Sequence, residues 1–289
     1  MRRKHGFYDL SVTAASKSAL VNVLTTLIDF GYRTVAINQI VEESAFEAQD
    51  KKKKRKADKD APSPIPPPIS LDDIPQEIKN SLKILHRVTV YFSTSDIAHK
   101  MVSSDNFKKY DIVAVIPTSK AALQHTCNAL DVDIISIDIS SKMPIRWNRK
   151  LYNMAAEKGM WFELPYALAV LDSNARRNLI EAGHLYHAFG KSKNILISSG
   201  AENPMQVRGP YDVINMSLLL GLSEEQAKSA ITNAGKSVLL RAESRKRGKS
   251  VVFIERSVCK TEFKKDNDDE EMEESHIGPL CKKICVEGT

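Results

Sequence analysis

The chain has 289 residues, of which 42% are hydrophobic, a share that supports a buried core and excludes a disordered chain. No run of about 18 apolar residues is present, so no membrane-spanning helix is expected, and the opening MRRKHGFYDL lacks the apolar segment of a secretory signal. Net charge is +6, but the segment 266–274 alone carries seven acids and no base, and the remainder stands at +13, a balance that suits a polyanionic partner.

Short β-branched apolar runs alternate with amphipathic helical patterns along the chain. Strands are predicted at Phe7–Leu10, Thr34–Ile37, Arg87–Phe92, Ile112–Ile116, Ile134–Ile139, Trp161–Leu164 and Asn194–Ser198. Several, such as Val113-Ala114-Val115-Ile116, are apolar at consecutive positions, as parallel strands buried on both faces require. Between the first two strands, Leu20, Val23, Leu24, Leu27 and Ile28 form one helical stripe, and Gly31 follows it. Lys158-Gly159-Met160 and Phe189-Gly190-Lys191 repeat this helix–glycine–strand step, with glycine suited to the left-handed position that ends a helix.

Seven strands with no evident eighth predict a TIM-like β/α barrel, imperfect in its closure, over residues 1–260. An open doubly wound sheet is the alternative, and length and strand number favour the barrel. Residues 47–70 break the pattern. They carry the run Lys51-Lys52-Lys53-Lys54-Arg55-Lys56 and then Pro62, Pro64, Pro66, Pro67 and Pro68, and are expected to form a disordered insertion. Residues 261–289 are expected to form a disordered acidic tail.

Metal and nucleophile motifs are sparse. Cys127 sits in a helical pattern, and Cys259, Cys281 and Cys285 lie late in the chain; reduced thiols are expected rather than a zinc site. The seven histidines include no His-x-His pair, and His184 with His187 share a helix face without a third ligand. No metal site is predicted. Polar residues near strand ends (Asp9, Asn38, Asp138, Glu163 and Ser198) occupy the rim where barrel enzymes react, and strand-end hydrogen bonding is the reading preferred for them. No Gly-x-Ser-x-Gly elbow is present.

The most informative stretch runs from Ile195 to Ile231. A strand leaves the barrel at Ser198-Ser199-Gly200, and Glu202-Asn203-Pro204 starts a loop. Pro210 opens a helix that Gly221 ends, and Ser223 with Gln226 forms a capping box for another. Ser198-Ser199, Ala201-Glu202, Arg208-Gly209-Pro210-Tyr211-Asp212 and Gly221-Leu222-Ser223 occur in the order of the thirty-kilodalton protein subunit of ribonuclease P and ribonuclease MRP, and the stretch resembles that family. Phe7-Tyr8-Asp9-Leu10, 31–38, 110–115 and 130–135 resemble its earlier strands, so the resemblance covers about Phe7 to Arg245.

The resemblance implies a barrel distantly similar to phosphoesterase barrels. It implies a non-catalytic subunit of the RNA-based endonuclease that removes the 5′ leader of precursor tRNA, shared with ribonuclease MRP in rRNA processing. The partners it implies are the ribonuclease P and MRP RNAs, precursor tRNA, a small αβ-sandwich subunit and other protein subunits. Nuclear and nucleolar residence follows, with no cofactor on this chain and magnesium on the catalytic RNA. A stand-alone phosphoesterase and a scaffold without RNA contact are the alternatives.

RNA contact would rest on Arg and Lys, which bind phosphates. The candidates are Arg208, Lys191, Lys193, Arg176, Arg177, Arg241, Arg245, Lys246, Arg247 and Lys249. Arg208 has a second option, pairing with Glu202 to brace its own loop. The run Lys51–Lys56 is a candidate nuclear-import signal.

Overall fold

The computed structural model describes residues 6–13, 16–46, 63–142 and 147–248. The strands β1 (Phe7–Val12), β2 (Tyr32–Val41), β3 (Lys83–Phe92), β4 (Ile112–Pro117), β5 (Ile134–Ile135), β6 (Trp161–Pro165) and β7 (Ile195–Ser198) form one seven-stranded parallel sheet in chain order. Around them lie α1 (Lys17–Asp29), α2 (Gln76–Ser81), α3 (Ser95–Ser103), α4 (Lys120–Asn128), α5 (Arg149–Glu157), α6 (Ala167–Leu171), α7 (Ser173–Gly190), α8 (Pro210–Leu219), α9 (Glu224–Ala230) and α10 (Asn233–Arg247).

Side chains alternate across each strand, which sorts the apolar residues into two layers. Val35, Val88, Val90, Val113, Val115, Phe162, Ile195 and Ile197 face outward and pack under the helices. Leu10, Ala36, Ala114, Ile134 and Leu196 fill the barrel interior, together with Ala234 and Val238 of α10. Helix α10 therefore plugs the N-terminal end of the barrel. Its Gly235 lies so close to Tyr8 that an added Cβ would sit 2.4 Å from the ring.

The ring is nearly closed, by backbone bonds between β1 and the segment after β7. Gly200 N–H donates to Ser11 O at 2.7 Å, Thr13 N–H to Ala201 O at 3.0 Å, and Val12 bridges Ala201 in parallel. Strand β1 is bulged between Asp9 and Val12. At that bulge the Asp9 carboxylate accepts the Ser199 N–H at 3.0 Å, standing in for a ladder carbonyl.

All seven predicted strands are present, and three local expectations need correction. The β5 ladder ends at Ile135 rather than Ile139, because Ser136 and Asp138 turn into a cavity at the C-terminal mouth. The second part of the predicted insertion is packed: Ile65 is fully buried, Tyr110 Oη donates to Pro66 O at 2.9 Å, and Asn106 Nδ2 donates to Ile65 O at 2.9 Å. Residues 63–70 thus lie against β2 and the segment before β4, while 47–62 fall outside the described residues. The tail 261–289 also falls outside them.

The third correction concerns glycine. Gly31 and Gly159 do take positive φ (89° and 76°), but Gly190 is still helical and Lys191, at φ 51°, carries the left-handed turn. Gly190 is small for a different reason. A Cβ there would lie 1.8 Å from Tyr152 Cε1, and the Tyr152 ring is stacked on Phe162 at 4.1 Å. Gly190→Ala should therefore destabilise the fold by about 2–3 kcal/mol in urea unfolding, and trimming the ring with Tyr152→Leu should recover part of the loss. Equal stability of Gly190→Ala and the parent would disprove this packing account.

Candidate functional site

The inward positions of the strands change character towards their C-terminal ends. Below they are apolar; above they are Asn38, Arg87, Thr89, Ser136, Glu163 and Ser198, nearly all inaccessible. Arg87 and Glu163 pair across the lumen, Nη1 to Oε1 and Nη2 to Oε2, both at 2.5 Å and each side chain 1% exposed. Arg87 Nη1 also donates to Leu10 O at 2.8 Å and Nε to Thr89 Oγ1 at 3.1 Å. Thr89 Oγ1 donates to Asn38 Oδ1 at 2.7 Å, and Asn38 Nδ2 to Ser11 Oγ at 3.2 Å. Ser198 Oγ completes the group by donating to Glu163 Oε1 at 2.5 Å. One network thus ties β1, β2, β3, β6 and β7 together.

Electrostatics follow from this geometry. Burial alone would raise the Glu163 pKa; the Arg87 guanidinium and hydrogen bonds from Arg87, Ser136 and Ser198 outweigh it and hold Glu163 below the usual carboxylate range. Asp9 has no such cation. Burial pushes its pKa up to about 6, against the hydrogen bonds from Ser199 and Ser11, and its Oδ2 has no partner among the described residues.

Above the network opens a cavity of about 310 Å³. Among the described residues, Asp138, Glu163 and Glu202 are its carboxylates, and Arg87, already bonded to Glu163, is the one cation lining it. Among the described residues, no group of three or more His, Cys, Asp or Glu is placed to hold a metal ion. The Arg87 guanidinium, bonded to Glu163, stands at the floor of this mouth. His184 and His187 lie on α7, away from it, and His187 Nδ1 meets Ser192 Oγ at 3.2 Å. Cys127 is buried, with its thiol pKa pushed up to about 11 by burial, and Cys259, Cys281 and Cys285 lie outside the described residues.

The rim residues divide as follows. Asp9, Asn38, Glu163 and Ser198 are hydrogen-bonded strand-end groups, whereas Asp138 lines the cavity and accepts from Ser140. Arg87 is the residue the sequence reading missed. A charged side chain in the run His86-Arg87-Val88-Thr89-Val90, in phase with Thr89, was its signal.

The basic candidates fall at opposite ends of the barrel. Arg208, Arg176 and Arg177 follow the C-terminal ends of β6 and β7. Arg208 braces its own loop, but through Met205 O (2.8 Å) and Val207 O (2.9 Å), and no Arg208–Glu202 ion pair exists among the described residues. Its backbone is held by Tyr32 Oη, which donates to Arg208 O at 3.1 Å, and Tyr166 Oη, which accepts from Arg208 N–H at 3.2 Å. Arg176 caps α6 through Ala169 O at 2.9 Å, while Arg177 is exposed.

Lys191 and Lys193 are exposed just before β7, at the N-terminal end. There α10 is pinned by its own cations. Arg241 pairs with Asp131 at 2.8 Å and donates to Val132 O and Lys158 O. Arg245 pairs with Asp133 at 3.0 Å and Lys246 with Asp111 at 2.7 Å; Arg247 pairs with Glu243 on its own helix. Lys249 and Lys51–Lys56 lie outside the described residues. Met205, Tyr211, Leu218 and Leu219 form an exposed apolar edge on and beside α8.

Comparison with known proteins agrees with this architecture. The model of the family described as RNase P subunit p30 matches residues 6–247. The Mus musculus ribonuclease P protein subunit p30 is 36% identical over 292 residues, covering 98% of this chain and 99% of that protein. The Saccharomyces cerevisiae ribonuclease P/MRP protein subunit RPP1 is 25% identical over 249 residues, covering 86% and 80%. A chain in the cryo-EM structure of archaeal ribonuclease P with mature tRNA shares the fold, at TM-score 0.56 and 17% identity, covering 88% of this chain and 99% of that one.

Two expectations follow from the site. Arg87→Met leaves Glu163 buried without its counter-charge and should cost about 3–5 kcal/mol in urea unfolding, whereas Arg87→Met combined with Glu163→Leu should cost less than the single change. A single-variant loss below about 1 kcal/mol would show that the pair does not organise the mouth. The Asp9 pKa is raised from 3.8 to about 6, so its contribution is full below pH 4 and is lost as pH rises through 6. Asp9→Asn keeps the amide acceptor and should match the parent at pH 4 but exceed it by up to ~3 kcal/mol at pH 7.5. Parallel pH profiles for the two proteins would refute the assignment.

Proposed function

The chain belongs to the ribonuclease P subunit p30 family, and on that basis we propose that it is a non-catalytic subunit of the ribonuclease P holoenzyme, which removes the 5′ leader of precursor tRNA. The family match spans the whole barrel, and that single observation carries the assignment. The state of the C-terminal mouth supports the non-catalytic part. Barrel enzymes place their reacting groups there, whereas here Arg87 and Glu163 satisfy one another beneath it. Strand-end carboxylates that are buried and hydrogen-bonded in this way have no free geometry for a reacting water.

On this reading the protein binds and stabilises the catalytic RNA, screens its phosphates and carries other subunits, the small αβ-sandwich subunit among them, and precursor tRNA is the substrate of the assembly. The exposed edge of Met205, Tyr211, Leu218 and Leu219 is a docking surface for such a protein subunit. Sharing with ribonuclease MRP, and through it a role in rRNA processing, is supported by the name of the yeast relative. Nuclear and nucleolar residence belongs to the same proposal, with Lys51–Lys56 as the import signal. No cofactor is assigned to this chain, and magnesium belongs to the catalytic RNA.

The reading is tested by incubating the full-length chain and magnesium with precursor tRNA, alone and after assembly with the catalytic RNA and remaining subunits. Cleavage is expected only in the assembly. Cleavage by the chain alone, abolished by Glu163→Gln, would establish the stand-alone phosphoesterase instead.

A further inference from the structure

The cavities at the two ends of the barrel differ in the charge of their described linings. The C-terminal cavity is lined by three carboxylates and one guanidinium, and that guanidinium is bonded to one of the three. At the N-terminal end, α10 and the starts of β5, β6 and β7 enclose a groove of about 720 Å³ that includes Asp131, Trp161, Asn194, Ser237, Arg241 and Arg245. Exposed lysines flank it on three elements. Lys158 ends α5 beside Gly159, Lys193 precedes Asn194, and Lys236 precedes Ser237 on α10. The amino groups of Lys193 and Lys236 make no ion pair with any described residue.

We propose that this N-terminal groove, and not the C-terminal mouth, is where the chain grips the phosphate backbone of folded RNA. The inference rests on the preceding reading that the protein binds RNA, and it assigns the surface. Three physical features support it. First, Arg241 and Arg245 are held rigidly by Asp131 and Asp133 in the groove wall, so ordering them on binding costs little. Each pair neutralises itself at contact range, which leaves the net attraction to the flanking lysines. Second, those lysines are long, flexible point charges, Lys158 donating to Asn128 O and Lys193 and Lys236 making no ion pair with a described residue, and they suit phosphates whose positions follow RNA shape rather than sequence. Third, the described lining of the C-terminal cavity holds three carboxylates to one guanidinium, which disfavours a phosphate inside it.

The test compares two matched charge reversals in the full chain assembled with its protein partners, using a transcript of the cognate ribonuclease P RNA as probe. One set is Lys158→Glu, Lys193→Glu and Lys236→Glu at the groove. The other is Lys120→Glu, Lys142→Glu and Arg177→Glu, exposed residues that follow the C-terminal strand ends. Glutamine versions of both sets serve as milder variants, and thermal melts establish that each is folded. The groove set should weaken RNA binding about tenfold or more and lower the slope of log affinity against log salt by about one per lost contact, while the mouth set leaves both unchanged. Loss confined to the mouth set, or equal loss in both sets, would overturn the groove assignment and leave RNA binding standing. Unaltered affinity and salt slope in both sets would overturn the RNA-binding reading itself. Loss of a protein subunit from the groove set, with RNA affinity intact, would reassign the groove to a protein.

Discussion

The Arg87–Glu163 pair is the constraint on which the rest of the barrel depends. Removing two ions from water costs several kcal/mol each, and mutual attraction offsets that cost only when the geometry is bidentate and the remaining donors and acceptors are satisfied. Here both conditions hold: two parallel bonds join the ions, and Leu10 O, Thr89 and Ser198 take up further capacity. The arrangement demands that β1, β3, β6 and β7 meet at one height. A register slip of one residue in β3 would turn Arg87 outward under the helices, where Val88 and Val90 now pack. The pair therefore specifies register as well as filling the lumen.

Its chemical consequence is that, among the described residues, the charged groups at the floor of the mouth are bonded to one another. A barrel enzyme needs carboxylates or imidazoles free to bind a metal or move a proton. Glu163 is engaged by Arg87 and Ser198 and held below the usual carboxylate range, and Asp9 binds the backbone of the strand seam through Oδ1 alone. The polar groups inside the barrel thus join β1, β2, β3, β6 and β7 in one network.

Much of this was legible in the sequence, and the failures have a common physical origin. The seven strands were readable because parallel strands buried on both faces show as unbroken apolar runs, and the capping box at Ser223 and Gln226 was readable because its chemistry is local. Arg87 was missed because its meaning depends on Glu163, 76 positions away. Gly190 was misread because the local pattern fits a helix end, whereas its partner Tyr152 is on another helix. Residues 63–70 have a composition that suggests mobility, yet Gln39, Asn106 and Tyr110 supply partners for their backbone, which no composition reports. The cations of α10 were grouped by sequence as one patch, and the fold fastens Arg241, Arg245 and Lys246 to barrel acids while Arg247 pairs with Glu243 on its own helix.

The Arg-Gly-Pro-Tyr-Asp segment shows how far a motif can inform without naming its own role. Its first residue draws attention as a phosphate ligand, yet the structure uses Arg208 Nη1 and both backbone polar groups to hold a loop: two carbonyls accept from Nη1, and two buried tyrosines grip the backbone. Pro210 then starts α8 with no amide left unsatisfied at that position, and Asp212 places an acid in the first turn, where it suits the helix dipole. What this geometry achieves is the fixed presentation of the α8 face, with Tyr211, Leu218 and Leu219 projecting outward. The motif is thus a structural brace whose product is a surface. At its head Tyr211 meets the ring of Phe7, the first residue of β1, at 6.0 Å, so the brace reaches from the loop after β7 to the opening strand.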